Sequence, residues 1–253
     1  MNTASPLPPH HLPPHHLPPH IVTSYENELA TLERAISDLS AAAIAQLEAA
    51  IDALVRQDLD KAHAVVASDA ALDALDDEVE AACVRILALR QPHADDLRLT
   101  ITTIKASNEL ERIGDFAKNI AKRVEAVARF RALPAVASLP HLKDLAVDAL
   151  SRAARAFAER DAELARAVWS SDAPLDAAYT ALFREIVTYM LEDQGAITPS
   201  THLLFAAKNL ERVGDHATNI AELAYFLSTG TRLEGDRPKD DQSPFAAPGA
   251  DNG

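Results

Sequence analysis

The sequence contains few of the residues that build structures other than helices. Seven glycines, one tryptophan and one cysteine occur in 253 residues, and aromatic side chains make up 5%. Proline is also scarce between residues 21 and 230, where Ala, Leu, Val and Ile dominate the apolar part. This composition is typical of an all-α protein, and the length suffices for one large domain or two small ones.

Other scarcities exclude classes of function. Cys83 is the one cysteine, so no internal disulfide can form, and a lone thiol is typical of a reducing compartment. No apolar run approaches the ~18 residues of a membrane span, and the N-terminus lacks the basic and apolar segments of a signal peptide. The formal net charge of −14 disfavours nucleic acid as a partner. We therefore expect a cytoplasmic protein that does not bind nucleic acid.

Hydrophobic periodicity divides the chain into two matching halves between two tails. Apolar residues recur at spacings of three and four, which predicts helices, and clustered prolines interrupt the pattern. The prediction is two tandem three-helix bundles with six long helices in all. The segments are a disordered His/Pro-rich arm (1–20), a first bundle (21–130), a linker (131–140), a second bundle (141–230) and a disordered tail (231–253).

Particular residues suggest where these helices begin and end. Asp58 is predicted to end the first helix and to cap the second, and Asp161 parallels it in the second half. The fifth helix is predicted to continue from Asp161 to about Glu192. For the sixth helix, Thr198 is a plausible N-cap because Pro199 would then occupy the first helical position.

A repeated hexapeptide marks the third and sixth helices. LERIGD spans 110–115 and LERVGD spans 210–215, and nine of fourteen positions are identical between 108–121 and 208–221. At 100° per residue, Leu110, Ile113 and their equivalents form a core stripe on one side of the helix. The other side carries a polar stripe in each copy, formed by Glu111, Asp115 and Asn119 and by Glu211, Asp215 and Asn219.

A second set of acids recurs on the preceding helix of each half. Their spacing is four residues, so they share one helix face, and neighbouring helices would turn the two acid faces toward one groove. Such a cluster requires cations or raised pKa values, and carboxylate and amide oxygens suit iron, manganese, magnesium or calcium. We therefore predict one metal site per half. The additional acids are Asp69, Asp73 and Asp77 in the first half and Asp172 and Asp176 in the second.

Two features bear on this prediction. Lys118 and Lys122 lie on the acid face, so ion pairs within the helix are the alternative in the first half, whereas Thr218 and Glu222 replace them in the second. Gly114 and Gly214 fall between the core stripe and the acid stripe. Glycine inside a helix costs about 1 kcal/mol relative to alanine, so we expect these glycines to permit close approach of the neighbouring acidic helix.

The doubled Glu-x-x-x-Asp motif within LERIGDFAKNIA and LERVGDHATNIA resembles the PhoU family of bacterial phosphate-transport accessory proteins. The resemblance covers about residues 20–230. It implies a two-fold repeat of three-helix bundles and a regulator that is not an enzyme. It also implies bound metal through Glu111, Asp115, Glu211 and Asp215, with iron foremost and zinc, manganese, magnesium or calcium as alternatives.

The resemblance further implies partners. These are the ATPase subunit of the high-affinity phosphate importer, the phosphate-sensing histidine kinase and a second copy of the chain. Contact with a membrane would be peripheral and made through those partners. By holding the kinase in its repressing state when phosphate is ample, such a protein would be a negative regulator of the phosphate-starvation response.

Two alternatives remain open from the residues alone. One is a helical adaptor or scaffold that binds no metal. The other is a di-iron carboxylate oxidase, which normally requires Glu-x-x-His on two helices of a bundle. The chain contains no Glu-x-x-His, so the oxidase is the weaker alternative.

Overall fold

The computed structural model describes residues 19–171 and 173–234, and this part of the chain contains α-helices and short 3-10 turns but no β-strand. The predicted all-α class is therefore confirmed. The predicted arm at 1–20 and tail at 231–253 lie largely outside the described residues. The helices are α1 (Pro19–Arg56), α2 (Leu59–Arg90), α3 (Ala94–Val127), α4 (Leu139–Glu159), α5 (Ala162–Trp169), α6 (Ala173–Glu192) and α7 (Ile197–Thr229).

The helices pack as two groups of three rods. Helices α1, α2 and α3 contact one another, whereas α4 contacts α5, α6 and α7. Helices α5 and α6 together form one rod, so the predicted repeat of three-helix units is confirmed. The two halves join where α3 packs on α7 and α1 packs on α4. The two motif helices thus lie side by side at the centre of the molecule.

Equivalent aspartates cap the second rod of each half. The Asp58 carboxylate accepts a hydrogen bond from the Lys61 backbone N–H at 2.9 Å, and Asp161 accepts one from the Leu164 N–H at 2.9 Å. Each bond satisfies a backbone donor that has no partner within its helix. The prediction that Asp58 ends one helix and caps the next is confirmed.

The prediction of a continuous fifth helix is wrong. Helix α5 ends at Trp169 and α6 begins at Ala173. Pro174 stands where the first half has Ala71, and a proline within a helix removes an N–H donor and clashes with the preceding turn. The Ser170 and Ser171 hydroxyls also donate to the backbone carbonyls of the last turn of α5. The break therefore follows from local chemistry in the second repeat.

The predicted start of the last helix is also wrong by a few residues. Helix α7 begins at Ile197 and follows a 3-10 turn at Gln194–Ala196, so Thr198 lies inside the helix. Asp193 caps the turn by accepting a hydrogen bond from the Gly195 N–H at 2.8 Å. Because the turn runs directly into α7, no residue next to Pro199 is needed as a cap. Pro199 still lies in the first turn, where its missing N–H costs nothing.

The predicted core stripes are buried in both motif helices. Leu110, Ile113 and Ala117 on α3 and Leu210 and Val213 on α7 are each 0% exposed. Cys83 is buried among the core residues, and burial raises the pKa of its thiol to about 12. It therefore acts as a small apolar side chain. No helix of the described part is both long enough and apolar enough to cross a bilayer.

Gly114 lies where α3 passes closest to the two other helices of its half. A Cβ atom built at this position would lie 2.9 Å from Leu72 Cδ2 on α2 and 3.1 Å from Gln46 Oε1 on α1. Leu72 is itself buried, so a new side chain at 114 meets a methyl group that already packs between the helices. A larger side chain at 114 must therefore separate the helices or distort Leu72.

We expect Gly114→Val to reduce the free energy of unfolding by about 1–3 kcal/mol, because it overpacks this contact. Gly114→Ala is the matched control. Its helix propensity gain of about 1 kcal/mol opposes the crowding by one methyl group, so it should remain close to the wild type. Urea unfolding followed by circular dichroism measures both. Equal stability of the two variants would contradict close packing at this glycine.

Candidate acidic groove

The acid faces of α2 and α3 lie opposite each other in the first half. Asp69 on α2 is only 4% exposed, whereas Glu111 and Asp115 on α3 are partly exposed. The Lys118 ammonium group lies between the helices. Its Nζ forms an ion pair with the Asp69 carboxylate and lies 3.1 Å from Asp115 Oδ1. The groove thus holds carboxylates from both helices together with one cation.

The charges of these carboxylates act on one another across the groove. Loss of hydration and the charge of Asp115 raise the pKa of Glu111, to which Asp73 across the groove also contributes. Loss of hydration and the charge of Asp69 raise the pKa of Asp73, with further contributions from Asp115 and Asp77. Like charges therefore repel within and between the two helices.

The remaining first-half candidates lie at the edges of this groove. Asp77 and Asn119 are exposed. The charge of Asp77 contributes to the raised pKa of Asp73. Asp76 also belongs to the cluster, because its charge raises the pKa of Glu111 and the Ser107 hydroxyl donates to its carboxylate. Asp76 was not predicted, because it falls outside the four-residue spacing of Asp69, Asp73 and Asp77.

The donor chemistry of the groove fits a hard cation, but an ammonium group already occupies part of it. The acids of the groove offer only oxygen atoms as ligands, and oxygen ligands suit iron(III), manganese or magnesium better than soft metals. Hydrogen bonds to Asp69 and Asp115 raise the pKa of Lys118, so it remains charged at neutral pH. Within 19–171 and 173–234, no three His, Cys, Asp or Glu side chains are arranged to hold one ion. Metal binding to Asp69 and Asp115 would require Lys118 to move away.

The second half buries its acids more deeply. Asp176 is 4% exposed and Glu211 is 7% exposed, although the helix pattern had placed Glu211 on an outward stripe. Lys208 Nζ lies 2.9 Å from Glu211 Oε1 and 5.1 Å from the centroid of the Tyr179 ring. Asp215 is partly exposed, and Asp172 lies outside the described residues.

The two halves thus place their compensating lysine differently. Lys118 in the first half corresponds to Thr218, whose hydroxyl donates to the Gly214 carbonyl at 3.0 Å. Lys208 in the second half corresponds to Asn108. The absence of a lysine at position 218 was predicted to leave the second cluster uncompensated, and the role of Lys208 was not predicted. Its spacing of three residues from Glu211 was the available signal.

A polar cluster joins the two halves where α3 crosses α7. Glu109 Oε2 lies 2.6 Å from His216 Nδ1 and accepts a hydrogen bond from Asn219 Nδ2 at 3.0 Å. The His216 ring meets the Phe116 ring edge to face at 5.1 Å. Although burial opposes the shift, the hydrogen bonds from His216 and Asn219 lower the pKa of Glu109. Asn219, a possible metal ligand from its spacing, thus directs its amide nitrogen to the other half.

Comparison with known families gives a match in both repeats. The model of the PhoU domain matches residues 36–124 and again residues 139–224. A phosphate-specific transport system accessory protein PhoU homolog from Rhizobium meliloti is 44% identical over 224 residues, covering 88% of this chain and 94% of the relative. A homolog with the same name from Xylella fastidiosa strain 9a5c is 46% identical over 223 residues, with the same two coverages.

Solved structures resemble the fold over the same part of the chain. The crystal structure of PhoU from Pseudomonas aeruginosa superposes with a TM-score of 0.78 at 36% identity, covering 82% of this chain and all of that one. The phosphate transport system regulatory protein PhoU from Streptococcus pneumoniae gives a TM-score of 0.76 at 30% identity, with coverages of 83% and 99%.

Replacing Lys118 tests its role as the internal cation of the groove. We expect Lys118→Met to lower the free energy of unfolding by about 1–3 kcal/mol without added metal, because the buried Asp69 carboxylate loses its charged partner. Lys122→Met is the matched control, since Lys122 is exposed and forms no ion pair in the described part of the chain. Thermal melting of both variants measures the difference. A loss of equal size in both would contradict the assignment.

Repulsion in the groove predicts a pH-dependent gain from neutralising Asp73. Its pKa is raised in the folded protein, so the folded state binds more protons and stability falls as pH rises through that pKa. Asp73→Asn should therefore stabilise metal-free protein at pH 7 by about 0.2–0.5 kcal/mol, a small effect because solvent screens this side chain.

The gain should vanish below about pH 3, where the Asp73 carboxyl is protonated in both the folded and the unfolded state. Asp38→Asn on α1 provides an exposed aspartate as control. Melting temperatures measured at low salt between about pH 3 and pH 7 check the prediction. A gain that persists in acid would show that charge repulsion is not its cause.

Proposed function

Because this chain belongs to the PhoU family of phosphate-transport accessory proteins, we propose that it is a negative regulator of the phosphate-starvation response. It couples the high-affinity phosphate importer to the phosphate-sensing histidine kinase and modulates uptake. When phosphate is ample, it holds the kinase in its repressing state. Its direct partners are the ATPase subunit of the importer, the kinase and a second copy of itself, so it approaches the membrane of the cell only through them.

The observation that carries this proposal is the near-complete match to accessory proteins of the phosphate-specific transport system. Relatives so named align along 88% of the chain, and the repeated motif helices lie within the matched segments. The charge distribution supports a docking role as well. The net charge is −14, and the α2–α3 groove presents Asp73, Glu111 and Asp115 at the surface. A groove of this charge suits a basic surface on a partner protein.

We also propose that the acid clusters bind metal, with iron foremost and manganese, magnesium, calcium or zinc as alternatives. The cluster of Asp69, Asp73, Glu111 and Asp115 supports this. Burial, and then repulsion by neighbouring acids, raise the pKa values of Glu111 and Asp73, and bound cations would relieve that repulsion. An ion there would link α2 to α3. The proposed second set is Asp172, Asp176, Glu211 and Asp215.

A metal-free adaptor is the second candidate, and one observation favours it. Lys118 and Lys208 each form an ion pair with an acid of their own half, so the protein neutralises part of each cluster without metal. The two candidates differ in what metal does to stability. A metal-binding protein must be stabilised by the ion, whereas an adaptor must not.

The metal proposal is tested by chelation followed by titration of iron, manganese and magnesium. Bound metal should raise the melting temperature of the wild type, and Asp115→Ala combined with Asp215→Ala should abolish that rise. Lys118→Met should increase it, because the competing ammonium is gone. Asp58→Asn, which changes a helix cap outside the groove, is the control and should keep the full rise. An unchanged rise in the double alanine variant would reject the assigned ligands.

The regulatory proposal is tested in cells. Deletion of the gene should switch on phosphate-starvation genes in medium rich in phosphate, and the wild-type gene supplied on a plasmid should restore repression. Expression is measured with a reporter fused to a phosphate-controlled promoter. Repression that persists after deletion would contradict the proposal, whatever the outcome of the metal experiment.

A further inference from the structure

A cleft lies where the two halves meet, and none of the groove residues Asp69, Glu111 and Asp115 lines it. It opens between the first half of α3 and the second half of α7, and its volume is about 570 Å³. The segment that follows α7 closes one side. Sites for small molecules typically measure about 300–1,000 Å³ and often lie between domains. Both the size and the place of this cleft therefore suit a ligand larger than a simple ion.

Two cations on the walls of the cleft have no acidic partner. Lys105 on α3 and Arg232 after α7 form no ion pair with any residue of the described chain. This contrasts with the acidic groove, where Lys118 contacts two carboxylates. Two unpaired cations at one cleft in a chain with net charge −14 provide a place for an anionic group.

The two acids of the cleft are held by neighbouring side chains. Glu109 Oε2 contacts His216 and Asn219, as described above. Glu222 Oε1 accepts a hydrogen bond from Trp169 Nε1 at 2.8 Å. Each carboxylate has a second oxygen, which can accept a hydrogen bond from a ligand hydroxyl. The cleft thus offers cations and acceptors at the same time.

Apolar side chains form the rest of the walls. Ile101, Leu223, Phe226 and Leu233 line the cleft, and Ile101 is 37% exposed. An aromatic ring beside aliphatic groups can hold a flat base by stacking and by burial of apolar surface. Inorganic phosphate would leave these walls in contact with water, and an uncharged apolar molecule would leave the two cations without a partner.

We propose that this cleft binds a nucleotide. Lys105 and Arg232 bind its phosphates, a carboxylate of the cleft accepts from the ribose hydroxyls, and the base lies against Phe226 and its apolar neighbours. Binding is non-covalent and contacts both halves, so the ligand fixes their relative position. This inference goes beyond the regulatory role and does not depend on it.

The single tryptophan gives a direct readout. Trp169 is the one tryptophan of the chain, and its indole N–H donates a hydrogen bond to Glu222 on the cleft wall. Titration of the full-length protein with AMP, ADP and ATP should change its fluorescence in a saturable way, with a Kd below about 1 mM, and calorimetry should give the same constant. Adenosine and inorganic phosphate, titrated separately, should each bind at least about tenfold more weakly.

Substitutions locate the site. Lys105→Ala and Arg232→Ala should each weaken nucleotide binding at least about tenfold, as expected for the loss of one charge-assisted hydrogen bond. Lys122→Ala is the control on the same helix, roughly 25 Å away along α3. Arg131→Ala in the segment after α3 is the arginine control. Circular dichroism and melting must show that all four variants fold as the wild type does.

Three results would overturn the proposal. One is the absence of a saturable response to any nucleotide in both fluorescence and calorimetry. The second is binding of inorganic phosphate as tight as that of nucleotides, which would leave no role for the apolar walls. The third is nucleotide binding that Lys105→Ala and Arg232→Ala leave unchanged. None of these would alter the outcome of the gene deletion, so the two proposals fail separately.

Discussion

Repulsion between carboxylates on adjacent helices is the constraint on which the polar contacts of this structure depend. The core stripes of α2 and α3 bring the helices together, and the acid faces come together with them. A buried carboxylate such as Asp69 is tolerated only when a cation or a proton offsets its charge. In the first half Lys118 supplies that cation to Asp69. In the second half Lys208 supplies one to Glu211.

The repeats have kept their cores and changed their polar contacts. Leu110 and Leu210 are equally buried, as are Ile113 and Val213, which differ by one methylene, because a polar or much larger side chain there would disturb three packed rods. The acid faces had more freedom, since one lysine can reach a carboxylate cluster from several positions. The counterpart of Asp77 in the second half is Thr180, which is buried, whereas Asp77 is exposed. The two halves therefore differ in charge and hydration, and we do not expect their clusters to bind cations equally.

Much of the fold was predictable because its determinants are local. Apolar spacing gave the helices and the buried stripes, and Asp58 identified a cap from its position alone. The break before Pro174 and the early start of α7 were missed, although Pro174 and Asp193 were both visible in the sequence. The apolar spacing in these segments continues across both breaks, so it predicted helix boundaries that the single residues Pro174 and Asp193 would have moved. The pairing of Glu109 with His216 and Asn219 could not be predicted, because residues more than 100 positions apart meet only once the halves are packed.

That cross-half pairing explains how two similar halves find one arrangement. Helices α3 and α7 carry nearly the same apolar stripe, so hydrophobic contact alone would permit several registers with similar energy. At the crossing, Phe116 meets His216, its own counterpart in the other repeat. In this register the Glu109 carboxylate contacts both His216 and Asn219. A shift of one helix along the other would leave this half-buried carboxylate without its hydrogen-bond partners. The polar cluster thus selects the register, which in turn places Lys105 on α3 opposite the end of α7 and creates the cleft between them.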